Sequence, residues 1–179
     1  MTSGRAAVFL DRDGVINAVV MRDGKVASPR LLSEFMLEPG VEEALAELRQ
    51  AGFLLFVVTN QPDIRRGLMS PQVLDAIHAR LRDLLPVDDI AFCPHDNADE
   101  CECRKPKPGM LLDLAKRWNV DLARSFMIGD QDRDIECGRR AGCITILLGK
   151  SYNSGSEAKA DYLVSGITAA AGVILAAQP

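Results

Sequence analysis

The sequence has no long hydrophobic run, no excess of positive charge, no internal repeat and no low-complexity tract, and each absence narrows what the chain can be. No apolar stretch approaches the roughly 20 residues needed to cross a bilayer. The N-terminal Met1-Thr2-Ser3-Gly4-Arg5 leads straight into a strand pattern instead of a signal-type hydrophobic segment, so a cytoplasmic protein with no membrane partner is expected. Lysine and arginine total 21 against 25 acidic residues, a formal charge of -4, which argues against a broad basic surface for nucleic acid. A disulfide framework is missing too. Of five cysteines, Cys93, Cys101 and Cys103 crowd together while Cys137 and Cys143 sit in ordinary apolar surroundings, a distribution suited to a metal loop in a reducing compartment. With no linker in 179 residues of 47% hydrophobic content, one domain spanning 1–179 is expected.

What is present is an alternation. Apolar, β-rich runs at 6–10, 53–58, 90–93, 125–128, 143–148 and 162–164 are mostly separated by helical patterns, which implies an α/β fold: a mostly parallel sheet with helices on both faces, a Rossmann-like three-layer sandwich. A helix following Pro39-Gly40 shows Val41, Leu45 and Leu48 on one face and ends at Ala51-Gly52. Ser70-Pro71 reads as N-cap and first helical residue of a segment that stops before Pro86. Further helices are expected from Pro108-Gly109 to about Trp118, over 135–141, and over 167–177. The unpatterned segments 17–37, 61–69 and 94–107 each follow a strand end, and long unpatterned loops in a compact domain are usually functional.

Four polar clusters stand at strand ends. Val8-Phe9-Leu10-Asp11-Arg12-Asp13-Gly14 ends a strand in two carboxylates that alternation projects to the same side, followed by a glycine turn; this suits a divalent cation and a nucleophile, although a plain polar turn would use the same residues. Thr59-Asn60-Gln61 closes the second strand, where Thr59 can offer a phosphoryl oxygen both a hydroxyl and a backbone N–H. In Arg104-Lys105-Pro106-Lys107-Pro108 the prolines limit backbone freedom. Lys105 suits charge stabilisation of a transferring phosphoryl group, and Arg104 suits a two-pronged grip on a second phosphate. In Gly129-Asp130-Gln131-Asp132-Arg133-Asp134, Asp134 follows Asp130 by about one helical turn, and such oxygen ligands suit Mg²⁺; helix N-terminal acids favoured by the macrodipole are the plainer account of Asp132 or Asp134. A fifth pattern, Cys93-x-His95-x5-Cys101-x-Cys103, offers the Cys₃His set of a closed structural Zn²⁺ site, placed to pin the loop that delivers Arg104 and Lys105.

DxDGV, TNQ, a loop lysine followed by proline, and GDxxxD occur here in the order of the haloacid dehalogenase superfamily of phosphohydrolases, which the chain resembles over 9–134. With the cysteine loop and RKP, it is similar to the capless, zinc-containing branch acting on heptose bisphosphate and histidinol phosphate. The resemblance implies that Asp11 is the nucleophile and Asp13 the general acid and then base, with Thr59 and Lys105 completing the catalytic group. It implies Mg²⁺ held by Asp11, the Asp13 carbonyl and Asp130, with Asp134 supporting them. Substrate contacts are implied for Asn60, Gln61, Arg66, Arg104 and Lys107, and the substrate implied is a small phosphorylated sugar, first a heptose bisphosphate; separately, a monomer is expected. Two departures fall in substrate-facing loops: 17–24 lacks the usual Gly-Tyr element, and Pro62-Asp63 replaces a common Ser-Gly. Histidinol phosphate is the alternative substrate, and a zinc-stabilised interaction domain the non-enzymatic alternative.

Overall fold

The six apolar runs form one sheet in the computed structural model, which describes residues 4–154 and 159–177; Met1, Thr2 and Ser3 of the N-terminal lead-in lie outside those residues. In chain order the regular elements are β1 (Ala7–Leu10), β2 (Val20–Arg22), β3 (Lys25–Ala27), α1 (Val41–Gln50), β4 (Leu54–Asn60), α2 (Pro71–Leu84), β5 (Asp89–Cys93), α3 (Gly109–Trp118), β6 (Phe126–Gly129), α4 (Asp132–Ala141), β7 (Ile144–Leu148), β8 (Tyr162–Val164) and α5 (Ile167–Ala176). The sheet order is β5-β4-β1-β6-β7-β8 and every neighbouring pair is parallel. Strand order therefore reverses between β1 and β6, and at such a switch point the connections leave in opposite directions and open a crevice at the strands' carboxyl ends.

Alternation along the central strands divides the core. Val8 and Leu10 of β1, with Leu55, Val57, Ile128 and Ile146, pack on Val41, Leu45 and Leu48 of α1 and on Ala170, Ala171 and Ile174 of α5. Ala7 and Phe9 point the other way with Phe56, Val58 and Met127, against Met110, Leu111 and Leu114 of α3 and Cys137 of α4. Both faces of β1 are covered, which explains its unbroken apolar run. Register is held by pairing Ala7 with Leu54 on one side and Val8 with Phe126 on the other. Asp11 continues the second ladder by one bond, its N–H donating to the Ile128 carbonyl at 2.9 Å, so the residues just past β1 and β6 emerge side by side.

Three features depart most from the sequence expectation, the other element ends shifting by a residue or so. The segment 17–37 holds an antiparallel hairpin, β2 paired with β3, turning on Asp23 and Gly24 at φ 49° and 72°. Asp-Gly with two left-handed residues is the turn that matches the twist of a tight hairpin. Helix α4 starts at Asp132 and not at 135, because the Asp134 side chain accepts the Gln131 N–H at 3.1 Å while the Asp134 N–H donates to the Gln131 carbonyl at 2.9 Å, which closes the first turn. Strand β4 runs on to Asn60, since Thr59 and Asn60 still pair with Phe92 and Cys93 of β5.

Candidate active site

Asp11 lies at the tip of β1, buried, and the buried Lys105 reaches it from the loop before α3: Nζ is 2.7 Å from Asp11 Oδ1, 2.7 Å from Asp134 Oδ1 and 2.8 Å from the Val58 carbonyl. Asp11, Asp130 and Asp134 each offer an oxygen, all within 4.8 Å of one another. One ammonium thus faces three buried carboxylates. Burial, followed by the charge of Asp134, raises the Asp11 carboxyl to about 7 although Lys105 pulls the other way. Asp130 is raised to about 6, again by burial and then Asp134. Burial alone would favour neutral Lys105, but Asp11 and Asp134 outweigh it and hold the ammonium charged well beyond its ordinary range. The cluster is short of positive charge, and a cation would remove the deficit.

The donor set fits such an ion. Asp130 Oδ1 is buried with no hydrogen-bond partner among the described residues, while its Oδ2 accepts from the Tyr152 hydroxyl at 2.5 Å and its carbonyl from Asn153 at 2.7 Å. A buried carboxylate oxygen left bare is costly unless something charged meets it. Hard oxygen donors at this spacing suit Mg²⁺. Gly14, at φ 88°, leaves the space these groups need: a Cβ there would stand 2.2 Å from Asp130 Oδ2.

Asp13 is placed differently. Its carboxylate accepts from the Arg12 guanidinium, Asn17, Ser28 Oγ at 2.7 Å and Gln61 Nε2 at 2.8 Å. Burial pushes this carboxyl up, but Arg12 and the bonds from Ser28, Asn17 and Gln61 together outweigh it, and it rests below the usual carboxylate value. Gln61 also donates to Thr59 Oγ1 at 2.9 Å. Asn60 forms a reciprocal pair with the Lys105 backbone, accepting its N–H at 3.0 Å and donating to its carbonyl at 3.1 Å, so this side chain locks the lysine in place.

A cleft of about 240 Å³ opens over Asp11, Asp13 and Lys105, and Arg30, Arg66, Arg104 and Arg133 stand on its walls. Arg66 grips Asp96 through two nitrogens at 2.6 and 2.9 Å; Arg104 donates to Asn97 Oδ1 at 2.8 Å and to the His95 carbonyl at 3.0 Å. Lys107, expected among the substrate contacts, does not line this cleft. Its Nζ bonds Glu102 Oε1 at 2.8 Å and the Glu100 carbonyl at 3.3 Å, because the chain turns away after Pro106 to enter α3.

Beside the cleft, Cys93, His95, Cys101 and Cys103 converge, with Sγ and Nδ1 atoms 2.9 to 3.6 Å apart. A tetrahedral Zn²⁺ with bonds of about 2.3 Å spaces sulfur ligands about 3.8 Å apart, wider than the 2.9 to 3.5 Å between the sulfurs here, so an ion would spread them slightly, and four protein donors leave no open position. Burial raises the Cys93 thiol well above its usual range; at Cys101 burial also acts upward, but hydrogen bonds from Cys103, the Arg104 backbone and Cys93 bring it down to about 7.

Sequence reading missed Arg12, Ser28, Arg30, His78, Arg133 and Tyr152. Arg30 and Arg133 carry no motif. Tyr152 lies 22 residues from the aspartate it touches, beyond the last recognisable cluster.

A doubly wound α/β fold with a lysine-braced, cation-ready carboxylate cluster at its switch point has the build of a metal-assisted phosphoryl-transfer enzyme. The chain belongs to the haloacid dehalogenase-like hydrolases, whose family model matches residues 10–142, and it is a hydrolase of phosphate monoesters. It is 42% identical over 150 residues to the D-glycero-beta-D-manno-heptose-1,7-bisphosphate 7-phosphatase of Rhodopseudomonas palustris, covering 77% of this chain and 80% of that one. It is 42% identical over 149 residues to the enzyme of the same name from Pseudomonas aeruginosa, covering 80% and 81%. Among solved structures, the D,D-heptose 1,7-bisphosphate phosphatase of B. bronchiseptica, complexed with magnesium and phosphate, superposes with a TM-score of 0.85 at 34% identity, covering 97% of this chain and 99% of the other.

Proposed function

We propose that this protein is a Mg²⁺-dependent phosphatase that removes the 7-phosphate of D-glycero-D-manno-heptose 1,7-bisphosphate through an aspartyl-phosphate on Asp11. The observation that carries the reading is the 2.7 Å contact between Asp11 Oδ1 and Lys105 Nζ at the floor of a cleft whose walls hold four arginines. A carboxylate approaching a phosphate dianion meets like-charge repulsion, and Mg²⁺ bound by the Asp11 carboxylate, the Asp13 carbonyl and Asp130 would supply the neutralising charge.

Asp11 attacks phosphorus as the bond to the sugar oxygen breaks, and Asp13 gives that oxygen a proton. Asp13 then takes a proton from the water that attacks the phosphorus of the acyl phosphate, the bond to Asp11 breaks, and inorganic phosphate leaves with Asp11 restored. Lys105 stabilises the charge on the transferring oxygens, Thr59 offers them its hydroxyl, and Asp134 holds Lys105. Arg12 and its other donors hold the Asp13 carboxyl low in the substrate-free chain, and an arriving dianion raises its affinity for the proton it must deliver. Arg104 and Arg66, with Gln61 and Asn60 supporting the floor, face the side where a second phosphate would lie, which favours a bisphosphate over histidinol phosphate. Zn²⁺ in the Cys₃His cluster is structural. The reading takes 1–179 as one catalytic domain acting as a cytoplasmic monomer. In support, the cysteines are free and no helix among the described residues is long and apolar enough to cross a membrane.

The test is turnover of heptose 1,7-bisphosphate, its monophosphates and histidinol phosphate with Mg²⁺, by wild type and Asp11→Asn. Wild type should prefer the bisphosphate and the amide variant should be inactive on all of them. Substantial turnover by Asp11→Asn would end the covalent mechanism, and preference for histidinol phosphate would end the sugar assignment.

A further inference from the structure

A buried guanidinium is costly unless its N–H groups are met, and Arg12 is fully buried between the two aspartates of the first motif. Its side chain has two partners among the described residues. Nε donates to Asp13 Oδ1 at 3.0 Å and one terminal nitrogen to Oδ2 at 3.2 Å; the other terminal nitrogen lies 3.3 Å from His78 Nε2. Arginine has only donors and keeps its charge, so His78 must accept at Nε2 and carry its proton on Nδ1. Burial and then the charge of Arg12 push His78 down to about 3, which keeps the imidazole a neutral acceptor.

The ring itself has little freedom. His78 sits on the inward face of α2 beside Leu74, Ile77 and Leu81, and its ring packs on Phe92 with centroids 5.6 Å apart. The helix and the sheet edge fix the ring, the ring fixes the guanidinium, and the guanidinium holds one side of the Asp13 carboxylate. Asn17, Ser28 and Gln61 meet the other sides.

We infer that His78 is a positioning residue for proton transfer at Asp13, acting through Arg12. The inference rests on Asp13 being the acid–base group proposed above, and the test separates the two. A nitrophenolate leaves phosphorus without needing a proton, whereas a primary alkoxide needs one as the bond breaks. Single-turnover release rates with Mg²⁺ on p-nitrophenyl phosphate and on a primary alkyl phosphate therefore read Asp13's proton delivery apart from everything else that binding and Asp11 require.

His78→Phe keeps a ring against Phe92 and removes the acceptor. It should slow release from the alkyl phosphate about tenfold, a fraction of the 10²–10⁴ that a general acid supplies, and leave p-nitrophenyl phosphate within about twofold of wild type. His78→Gln, whose amide oxygen reaches the position of Nε2, should restore the alkyl phosphate rate. Asp13→Asn should lose far more rate on the alkyl phosphate than on p-nitrophenyl phosphate. Equal loss on both substrates in His78→Phe, or no loss on the alkyl ester, overturns the inference alone when Asp13→Asn is selective. Equal loss on both in Asp13→Asn defeats the acid–base reading and the inference with it. If His78→Phe does not fold, His78→Asn, whose amide is too short to reach Arg12, carries the same comparison.

Discussion

Replacing Gly14 by alanine tests the cation cage without touching any of its ligands. An added Cβ would stand 2.2 Å from Asp130 Oδ2 and 2.5 Å from the Tyr152 hydroxyl. Ordinary contact begins near 3.5 Å, so each oxygen must withdraw by about 1 Å. Asp130 has little room to do so. It is wholly buried, its carbonyl is held by Asn153, and the strand before it is paired on both sides. The carboxylate must therefore turn, and the oxygen left bare for the ion turns with it. The left-handed backbone at Gly14 adds about 1–2 kcal/mol of strain for any residue with a Cβ. For a chain of this size that lowers the melting temperature by roughly 2–8 °C. Mg²⁺ affinity, titrated calorimetrically in phosphate-free buffer, should fall at least about tenfold, the scale seen when a metal ligand loses its orientation. Adding Tyr152→Phe removes one obstacle and should recover only part of the loss. A Gly14→Ala variant that binds Mg²⁺ within twofold of wild type would refute the cage argument.

Lys105→Met leaves Asp11 and Asp134 buried without their ammonium, and the loss measured by denaturant unfolding in chelator should be about 3–5 kcal/mol, partly recovered by saturating Mg²⁺. Elemental analysis of the parent should show about one tightly bound zinc per chain, which Cys101→Ser should lose, and the variant should turn over more slowly because Lys105 follows Cys103 by two residues. The pH dependence of folding should carry a signature of His78, whose value of about 3 lies below the ordinary 6.5. Below pH 6.5 the unfolded chain takes a proton that the folded chain refuses, so stability falls as pH drops from 6.5 toward 3. Melting of wild type and His78→Phe at pH 7 and pH 5 should show a smaller decline in the variant; equal declines would contradict this.

Much of the architecture was legible because both faces of the central strands are covered, which leaves continuous apolar runs that stand out between helical patterns. The hairpin at Asp23-Gly24 carried a local turn signal that the long polar segment around it obscured. The start of α4 is hidden in the sequence because hydrophobic periodicity begins only at Ile135, whereas the helix is nucleated by the cap formed from Gln131 and Asp134. Lys107 stands in one basic run with Arg104 and Lys105, yet one turn of chain separates a cleft-facing residue from one bonded to Glu102.

Local chemistry alone determined which residue types stand at the strand tips, that four thiol and imidazole donors share one short loop, and that the sheet is built from parallel strands. Those are properties of neighbours in the chain, where spacing translates directly into direction. Only the tertiary structure decided that Asn60 grips the Lys105 backbone, that Tyr152 occupies one oxygen of Asp130 and leaves the other bare, and that Arg12 is shared between Asp13 and a histidine 66 residues away. Such partnerships depend on which segments the fold brings together at its switch point, and on burial that makes each unmet polar atom costly.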